Sequence, residues 1–151
     1  KSCLMNYFFD TNAILIYLRD HVQKDWLDKN YDPLGDDNTA MISVVVLGEL
    51  ESLYLRNNWG RRRIENLRIF LRKFLITDIN SRDIIRRYGE IDAFSQGKLK
   101  ENRLGDSSRN MGKNDLWIAA TASVTNSRLI SSDKDFNHLK GEYLDLLLIE
   151  I

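Results

Sequence analysis

The sequence has little of the chemistry that disulfide frameworks, zinc sites and membrane spans require. It contains one cysteine, Cys3, and two histidines, His21 and His138. A lone cysteine excludes an intrachain disulfide, so we expect a reducing, cytoplasmic compartment. No zinc site of ordinary ligand spacing can be built from these three residues. No apolar run approaches the roughly 20 residues of a membrane span. The first residues lack the pattern of a signal peptide, and we expect no membrane partner.

The chain also lacks an excess of charge of either sign. Its 151 residues include 22 basic and 22 acidic side chains, and this balance neither favours nor excludes a polyanionic partner. Residues 51–113 contain 15 basic and 8 acidic side chains, whereas the remainder contains 7 and 14. This asymmetry indicates either a basic docking surface beside an acidic site or a set of solvated helix faces. Apolar residues make up 43 % of the chain, a globular composition that predicts one domain spanning residues 1–151.

Short apolar runs alternate with amphipathic helical patterns along the chain. We predict strands at residues 4–9, 40–43, 75–79, 128–132 and 144–149. We predict helices at residues 13–19, 44–57 and 61–74, from residue 80 or 81, and around Asp115. Residues 20–39, with the only proline, are expected to be partly helix and partly loop, and residues 97–112 a polar loop. This order predicts an α/β fold, a three-layer α/β/α sandwich with a mainly parallel central sheet.

One carboxylate stands at the head of a helical stripe that is otherwise small and apolar. Ile118, Ala119 and Ala122 follow Asp115 at i+3, i+4 and i+7, on the same helix face. A buried carboxylate is costly unless it has a cation, a donor or a proton. The pattern therefore indicates a functional group. The simpler alternative is that Asp115 stabilises the helix N-terminus through its dipole.

Three further acidic residues stand near the ends of predicted strands. Asp10 directly follows the first strand, Asp133 follows the fourth, and Glu49 lies two helical turns beyond the second. Sites in open parallel sheets form beyond the carboxyl ends of the strands, so we expect these three residues and Asp115 to converge. Any one of them alone could be a helix cap or an exposed residue. Four at corresponding ends of elements favour a shared site.

Clustered carboxylates repel one another unless a cation or a proton neutralises them. Hard oxygen ligands favour Mg²⁺ or Mn²⁺ over zinc or copper. Such a cation activates water and stabilises charge on a phosphodiester, so this chemistry needs no serine, cysteine or lysine nucleophile. The acidic residues therefore predict metal-dependent hydrolysis of a phosphodiester.

Four short segments resemble, in order and spacing, the motifs of PIN-domain ribonucleases, and most of all the small VapC-like toxins of prokaryotic toxin–antitoxin pairs. They are residues 9–12 (FDTN), 43–50 (SVVVLGEL), 114–122 (NDLWIAATA) and 131–136 (SSDKDF). The resemblance covers essentially the whole chain. It implies an α/β/α sandwich and Mg²⁺- or Mn²⁺-dependent cleavage of RNA. It also implies a homodimer and a small antitoxin protein that occupies the acidic groove.

The resemblance also implies roles for single residues. Asp10, Glu49, Asp115 and Asp133 match the family's acidic metal-binding positions. Our hypothesis is that the first three hold the metal and that Asp133 is a weaker or water-mediated ligand. Asp135 is an alternative fourth acid, and Asp133 is favoured because it comes first after the strand.

Polar residues beside these acids match positions that orient carboxylates or substrate in the same family, and they are Thr11, Asn12 and Asn114. Phosphate contacts require cations. We expect three cations in or beside the polar loop before Asp115 to contact RNA: Arg103, Arg109 and Lys113. The alternative for these cations is an ordinary solvated surface.

Other functional classes fit the sequence less well. A receiver-type phosphoacceptor domain would have adjacent acids after the first strand, and a haloacid-type phosphatase would have an aspartate two residues after Asp10. Thr11 and Asn12 follow Asp10 instead. The alternatives that stay open are a non-catalytic RNA-binding or interaction module on the same fold and a housekeeping RNA-processing PIN nuclease.

Overall fold

Five parallel strands form a single sheet in the order β3-β2-β1-β4-β5. The computed structural model describes residues 4–105 and 108–150. The strands are β1 (Asn6–Phe9), β2 (Thr39–Ser43), β3 (Leu75–Thr77), β4 (Arg128–Ser131) and β5 (Asp145–Leu148). All four pairings are parallel, so the predicted α/β fold with a parallel sheet is confirmed.

Six α-helices connect the strands. They are α1 (Thr11–Leu18), α2 (Val22–Asn30), α3 (Val44–Arg56), α4 (Arg61–Leu71), α5 (Arg82–Ser95) and α6 (Lys113–Val124), and a 3₁₀ helix follows β4 at Lys134–Leu139. The chain moves from β1 to β2 to β3 in one direction and then returns to β4 on the other side of β1. Because parallel crossovers are right-handed, this reversal places α5 and α6 on the sheet face opposite to α1–α4. It also makes the ends of β1 and β4 the topological switch point of the sheet.

Capping side chains determine where the helices nearest this switch point begin. Asp10 caps α1 by accepting a hydrogen bond from the Ala13 amide, and Ser43 caps α3 by accepting one from the Val45 amide. Asp10 directly follows β1 and Ser43 is the last residue of β2, so each strand passes into its helix without a loop. These tight junctions place the first turn of each helix at the carboxyl edge of the sheet.

The helix predicted at residues 61–74 ends earlier than its pattern indicates. Observed α4 stops at Leu71, and Phe74 lies in the turn before β3. Phe74 is buried and packs edge-on against Phe9 of β1, with ring centroids 4.9 Å apart. Phe74 also packs edge-on against Phe70 of α4, so its apolar position in the pattern reflects burial between helix and sheet and not a further turn of helix.

The remaining boundaries differ from prediction by a few residues. Residues 20–39, expected to be partly helix and partly loop, contain α2, and the third strand ends at Thr77 instead of residue 79. The described residues of the predicted loop, 97–105 and 108–112, contain no helix or strand, and residues 106–107 lie outside the described part of the chain. Among the described residues, no helix is long and apolar enough to cross a membrane.

Candidate metal centre

Asp10 lies at the switch point, buried between β1 and β4. The register pairs Phe9 with Ile130, and the Asp10 amide donates to the Ile130 carbonyl at 3.4 Å. The Asp10 carboxylate accepts hydrogen bonds from the Ala13 amide at 2.9 Å and from the Ser131 hydroxyl. It is only 4 % exposed, and burial raises its pKa from 3.8 to about 7 despite these two donors. A carboxylate in this environment therefore requires a counter-charge to stay ionised at neutral pH.

Glu49 lies two turns into α3, and both of its carboxylate oxygens accept hydrogen bonds. The Thr11 hydroxyl of α1 donates to Oε1 at 2.5 Å, and the Asn114 amide of α6 donates to Oε2 at 3.1 Å. Three helices therefore meet at this one side chain. Thr11 and Asn114, expected to orient carboxylates or substrate, both lie in contact with a carboxylate in the structure.

Asp115 is half-buried in the first turn of α6 and faces other negative groups. Its pKa is raised from 3.8 to about 6, mainly by burial and then by the charges of Asp133, Glu49 and Asp135. The helix is buried on nearly every side beyond this turn. The apolar stripe noted in the sequence is therefore part of the core, with Asp115 at its solvent-facing end.

Asp133 begins the 3₁₀ helix directly after β4. Its amide donates to the Ser131 hydroxyl at 2.9 Å, and its carboxylate accepts from the Asp135 amide at 2.9 Å. One carboxylate oxygen from each of Asp115, Asp133 and Asp135 lies within 4.8 Å of the other two. Asp135 is exposed, whereas Asp133 is partly buried. Both alternatives for the fourth acid are thus near Asp115.

The four predicted acids line one cleft of about 660 Å³. Of the two candidates for the fourth acid, Asp133 lines this cleft, and the described lining does not include Asp135. All three predicted polar residues also line it, and they are Thr11, Asn12 and Asn114. Residues that are 123 positions apart in the sequence therefore converge on one concave surface.

Comparison with known proteins agrees with this geometry. The family model described as PIN domain matches residues 7–142. The chain belongs to the PIN-domain family. Ribonuclease VapC2 of Rickettsia felis is 28 % identical to it over 142 residues, which are 93 % of this chain and 97 % of that protein.

Solved structures of VapBC complexes share this fold. VapBC2 from Rickettsia felis, bound to a DNA fragment from its promoter, superposes with a TM-score of 0.68 and 25 % identity, and the match covers 97 % of this chain and 100 % of that one. VapBC-1 from nontypeable Haemophilus influenzae has a TM-score of 0.71 and 23 % identity, with coverage of 95 % and 98 %. The resemblance to PIN-domain proteins stated from the four sequence segments is confirmed.

The acidic cluster of this PIN domain fits a hard divalent cation, the type of cofactor that PIN nucleases generally use. All of its candidate ligands are carboxylate oxygens, which such ions prefer. In the protein alone, burial and mutual repulsion raise the pKa of both Asp10 and Asp115. A cation among these groups would favour their ionised forms and so reverse both shifts.

The three cations predicted to contact RNA lie at different distances from this centre. Lys113 is the exposed first residue of α6 and lines a shallow depression with Glu49 and Asp115. Arg109 lines a separate depression beside Lys98, and its amide donates to the Ser95 carbonyl at 2.8 Å. Arg103 is exposed and is not part of the described cleft lining. Only Lys113 is thus beside the acids.

Two residues near the centre have roles that the sequence did not suggest. Ser131 donates to Asp10 and accepts from the Asp133 amide, so it links two of the acids. Arg56 lines the cleft at the last turn of α3. Helical spacing could have indicated Arg56, since it follows Glu49 at i+7, whereas the link through Ser131 depends on strand pairing.

Proposed function

We propose that this chain is a Mg²⁺- or Mn²⁺-dependent endoribonuclease that hydrolyses RNA phosphodiester bonds and acts as the toxin of a toxin–antitoxin pair. The observation that carries the proposal is the convergence of Asp10, Glu49, Asp115 and Asp133 on one cleft. Membership of the PIN-domain family supports it, as does similarity to a protein named as a ribonuclease, VapC2.

The acids have distinct roles in this proposal. Asp10, Glu49 and Asp115 would hold the cation, and Asp133 is the weaker or water-mediated ligand. When bound, the cation supplies an activated water and stabilises charge on the scissile phosphate. Asp10, whose pKa of about 7 leaves it partly protonated near neutral pH, would have to be ionised to hold the cation.

The neighbouring polar residues orient these groups. Thr11 and Asn114 hold the two oxygens of Glu49 in place, so that carboxylate does not have to be ordered when the cation arrives. Asn12 is exposed at the cleft and is available to bind a phosphate oxygen. The site therefore uses oxygen ligands and orientation alone, with no covalent step on the protein.

The decisive experiment measures cleavage of RNA by the purified protein with Mg²⁺ or Mn²⁺ and with a chelator. We expect chelation to abolish cleavage. Asp115→Asn should also abolish it while the protein stays folded, because a cation ligand is lost. Asp83→Asn is the matched control, since Asp83 is an exposed aspartate in the first turn of α5. Cleavage that resists chelation, or full activity of Asp115→Asn, would contradict the proposal.

The toxin role implies a protein partner at the same cleft. The Rickettsia felis and Haemophilus influenzae structures described above are VapBC complexes, and a small antitoxin on the acidic cleft is the corresponding partner here. A homodimer is part of the same proposal. The test is co-expression with the product of the neighbouring reading frame: co-purification and suppressed cleavage support a toxin. Active protein with no such inhibitor would indicate housekeeping RNA processing.

A further inference from the structure

One face of α3 extends the cleft away from the acids. Val45, Glu49, Ser52 and Arg56 all line the cleft, and their spacing of three or four residues places them on one side of the helix. Glu49 lies at the metal end and Arg56 in the last turn. Arg56 lies seven positions after Glu49, which separates their backbones by about 10 Å along the helix axis. The wall of the cleft therefore changes from negative to positive along α3.

The position of the Arg56 side chain suits anion binding. Its Nε donates to the Ser52 hydroxyl at 3.0 Å, which holds the stem and leaves the two terminal amino groups of the guanidinium directed elsewhere. Arg56 is exposed, and among the described residues no carboxylate oxygen lies within 4.0 Å of its side-chain nitrogens. Within the described lining of the cleft, it is the sole lysine or arginine.

This separation assigns the two ends of the cleft to different phosphates. In the proposed function, the acids and their cation act on the scissile phosphate at one end of the cleft. The hydrogen bond from Arg56 to Ser52, a residue about 4.5 Å beyond Glu49 along the axis of α3, draws the guanidinium back towards the acids. The guanidinium still lies on the far side of Glu49 from the start of α3, where it suits a neighbouring phosphate of the same strand. Arginine is well matched to such a contact because its planar donors bind phosphate oxygens in pairs.

We propose that Arg56 binds a backbone phosphate beside the scissile one, so that the RNA strand lies along α3 from Glu49 towards Arg56. This inference rests on the proposed ribonuclease function, and it defines the direction of the substrate across the cleft. Arg56 is a substrate-binding residue in this arrangement and has no part in holding the cation.

The test uses an RNA oligonucleotide that contains a site cleaved by the wild-type protein. We expect Arg56→Gln to raise KM about 10-fold, the scale of one charge-assisted hydrogen-bonded contact, with a smaller effect on kcat. Arg56→Lys keeps the charge but loses the paired donors, so its KM should lie between that of the wild type and that of Arg56→Gln. Arg62→Gln is the matched control, because Arg62 is an exposed arginine on α4 that is not part of the described cleft lining.

A second set of oligonucleotides identifies the phosphate. Each carries one neutral methylphosphonate at a different position flanking the cleaved bond. At one position we expect neutralisation to weaken cleavage by the wild type and by Arg62→Gln but not by Arg56→Gln, because the contact is already lost there. The slope of log kcat/KM against log salt should also fall by about 0.7 in Arg56→Gln.

The outcomes separate this inference from the proposed function. If the wild type cleaves no RNA with any divalent cation, the proposed function fails and this inference fails with it. If the wild type cleaves RNA and Arg56→Gln matches Arg62→Gln in KM, in salt slope and at every methylphosphonate, the function stands and the role of Arg56 is wrong.

Discussion

The buried carboxylate of Asp10 makes the stability of the metal-free protein depend on pH. Burial raises its pKa from 3.8 to about 7, so the folded state binds more protons than the unfolded state between these values. The contribution of Asp10 to the free energy of unfolding therefore falls as pH rises through this window. Asp115 adds to this dependence of the free energy of unfolding on pH, because its pKa is also raised, to about 6.

The size of the effect follows from the shift. The two values for Asp10 differ by about 3 pH units, which at 1.36 kcal/mol per unit gives at most about 4 kcal/mol lost above pH 7. Asp10→Asn removes the charge and keeps an acceptor for the Ala13 amide. Without metal we expect this variant to be more stable than the wild type above pH 7, and the difference to shrink towards pH 4.

The assay is urea unfolding at equilibrium with a chelator, at a series of pH values from 4 to 8. Asp83→Asn should keep the wild-type dependence of the free energy of unfolding on pH, since it leaves the cleft unchanged. Adding Mg²⁺ at pH 7.5 should stabilise the wild type more than Asp10→Asn, because the cation neutralises the charge that the variant lacks. If the difference in the free energy of unfolding between Asp10→Asn and the wild type does not grow as pH rises from 4 to 7, this reasoning is refuted.

Two further substitutions test the support of the site and of the core. Asn114→Ala removes the donor to Glu49, and we expect about 10-fold more Mg²⁺ to be needed for half-maximal cleavage. Asn66→Ala, at an exposed position of α4, is the control. If both variants need the same Mg²⁺ concentration as the wild type, the contact between Asn114 and Glu49 is unimportant. Phe74→Ala removes a side chain that is 7 % exposed and packs edge-on against two rings at 4.9 and 5.2 Å. We expect it to lower the free energy of unfolding by about 3–5 kcal/mol, and a loss no larger than that of the exposed control Ile69→Ala would be inconsistent with the packing.

Much of the fold could be predicted because its signals are local. Apolar runs, capping residues and helical periodicity depend on neighbours in the chain, and they located all five strands and most helix starts. Phe74 shows the limit of such signals. It continues the apolar stripe of α4, yet it lies outside the helix, where it packs on both β1 and α4. Periodicity reports that a side chain is buried but not which element buries it.

The candidate site, too, could be predicted only in part from the sequence. The four acids could be selected from sequence, because each is an acidic residue at an expected strand end or helix face. The paired contacts of Glu49 with Thr11 and Asn114 involve three different helices, and no spacing reveals them. Arg103 and Arg109 were expected near the acids because they precede Asp115 in sequence, but the described loop carries Arg109 to another depression.

The sequence by itself determined which segments become strands and helices and which carboxylates stand at their ends, because those properties arise within a few residues. The tertiary structure decided that the segments after β1 and β4 meet. The sheet order reverses at β1, so Ser131 reaches Asp10 across 121 positions of chain. That contact, and the burial that raises the pKa of Asp10, arise only when the two strands pair, because proximity and desolvation are properties of the packed molecule.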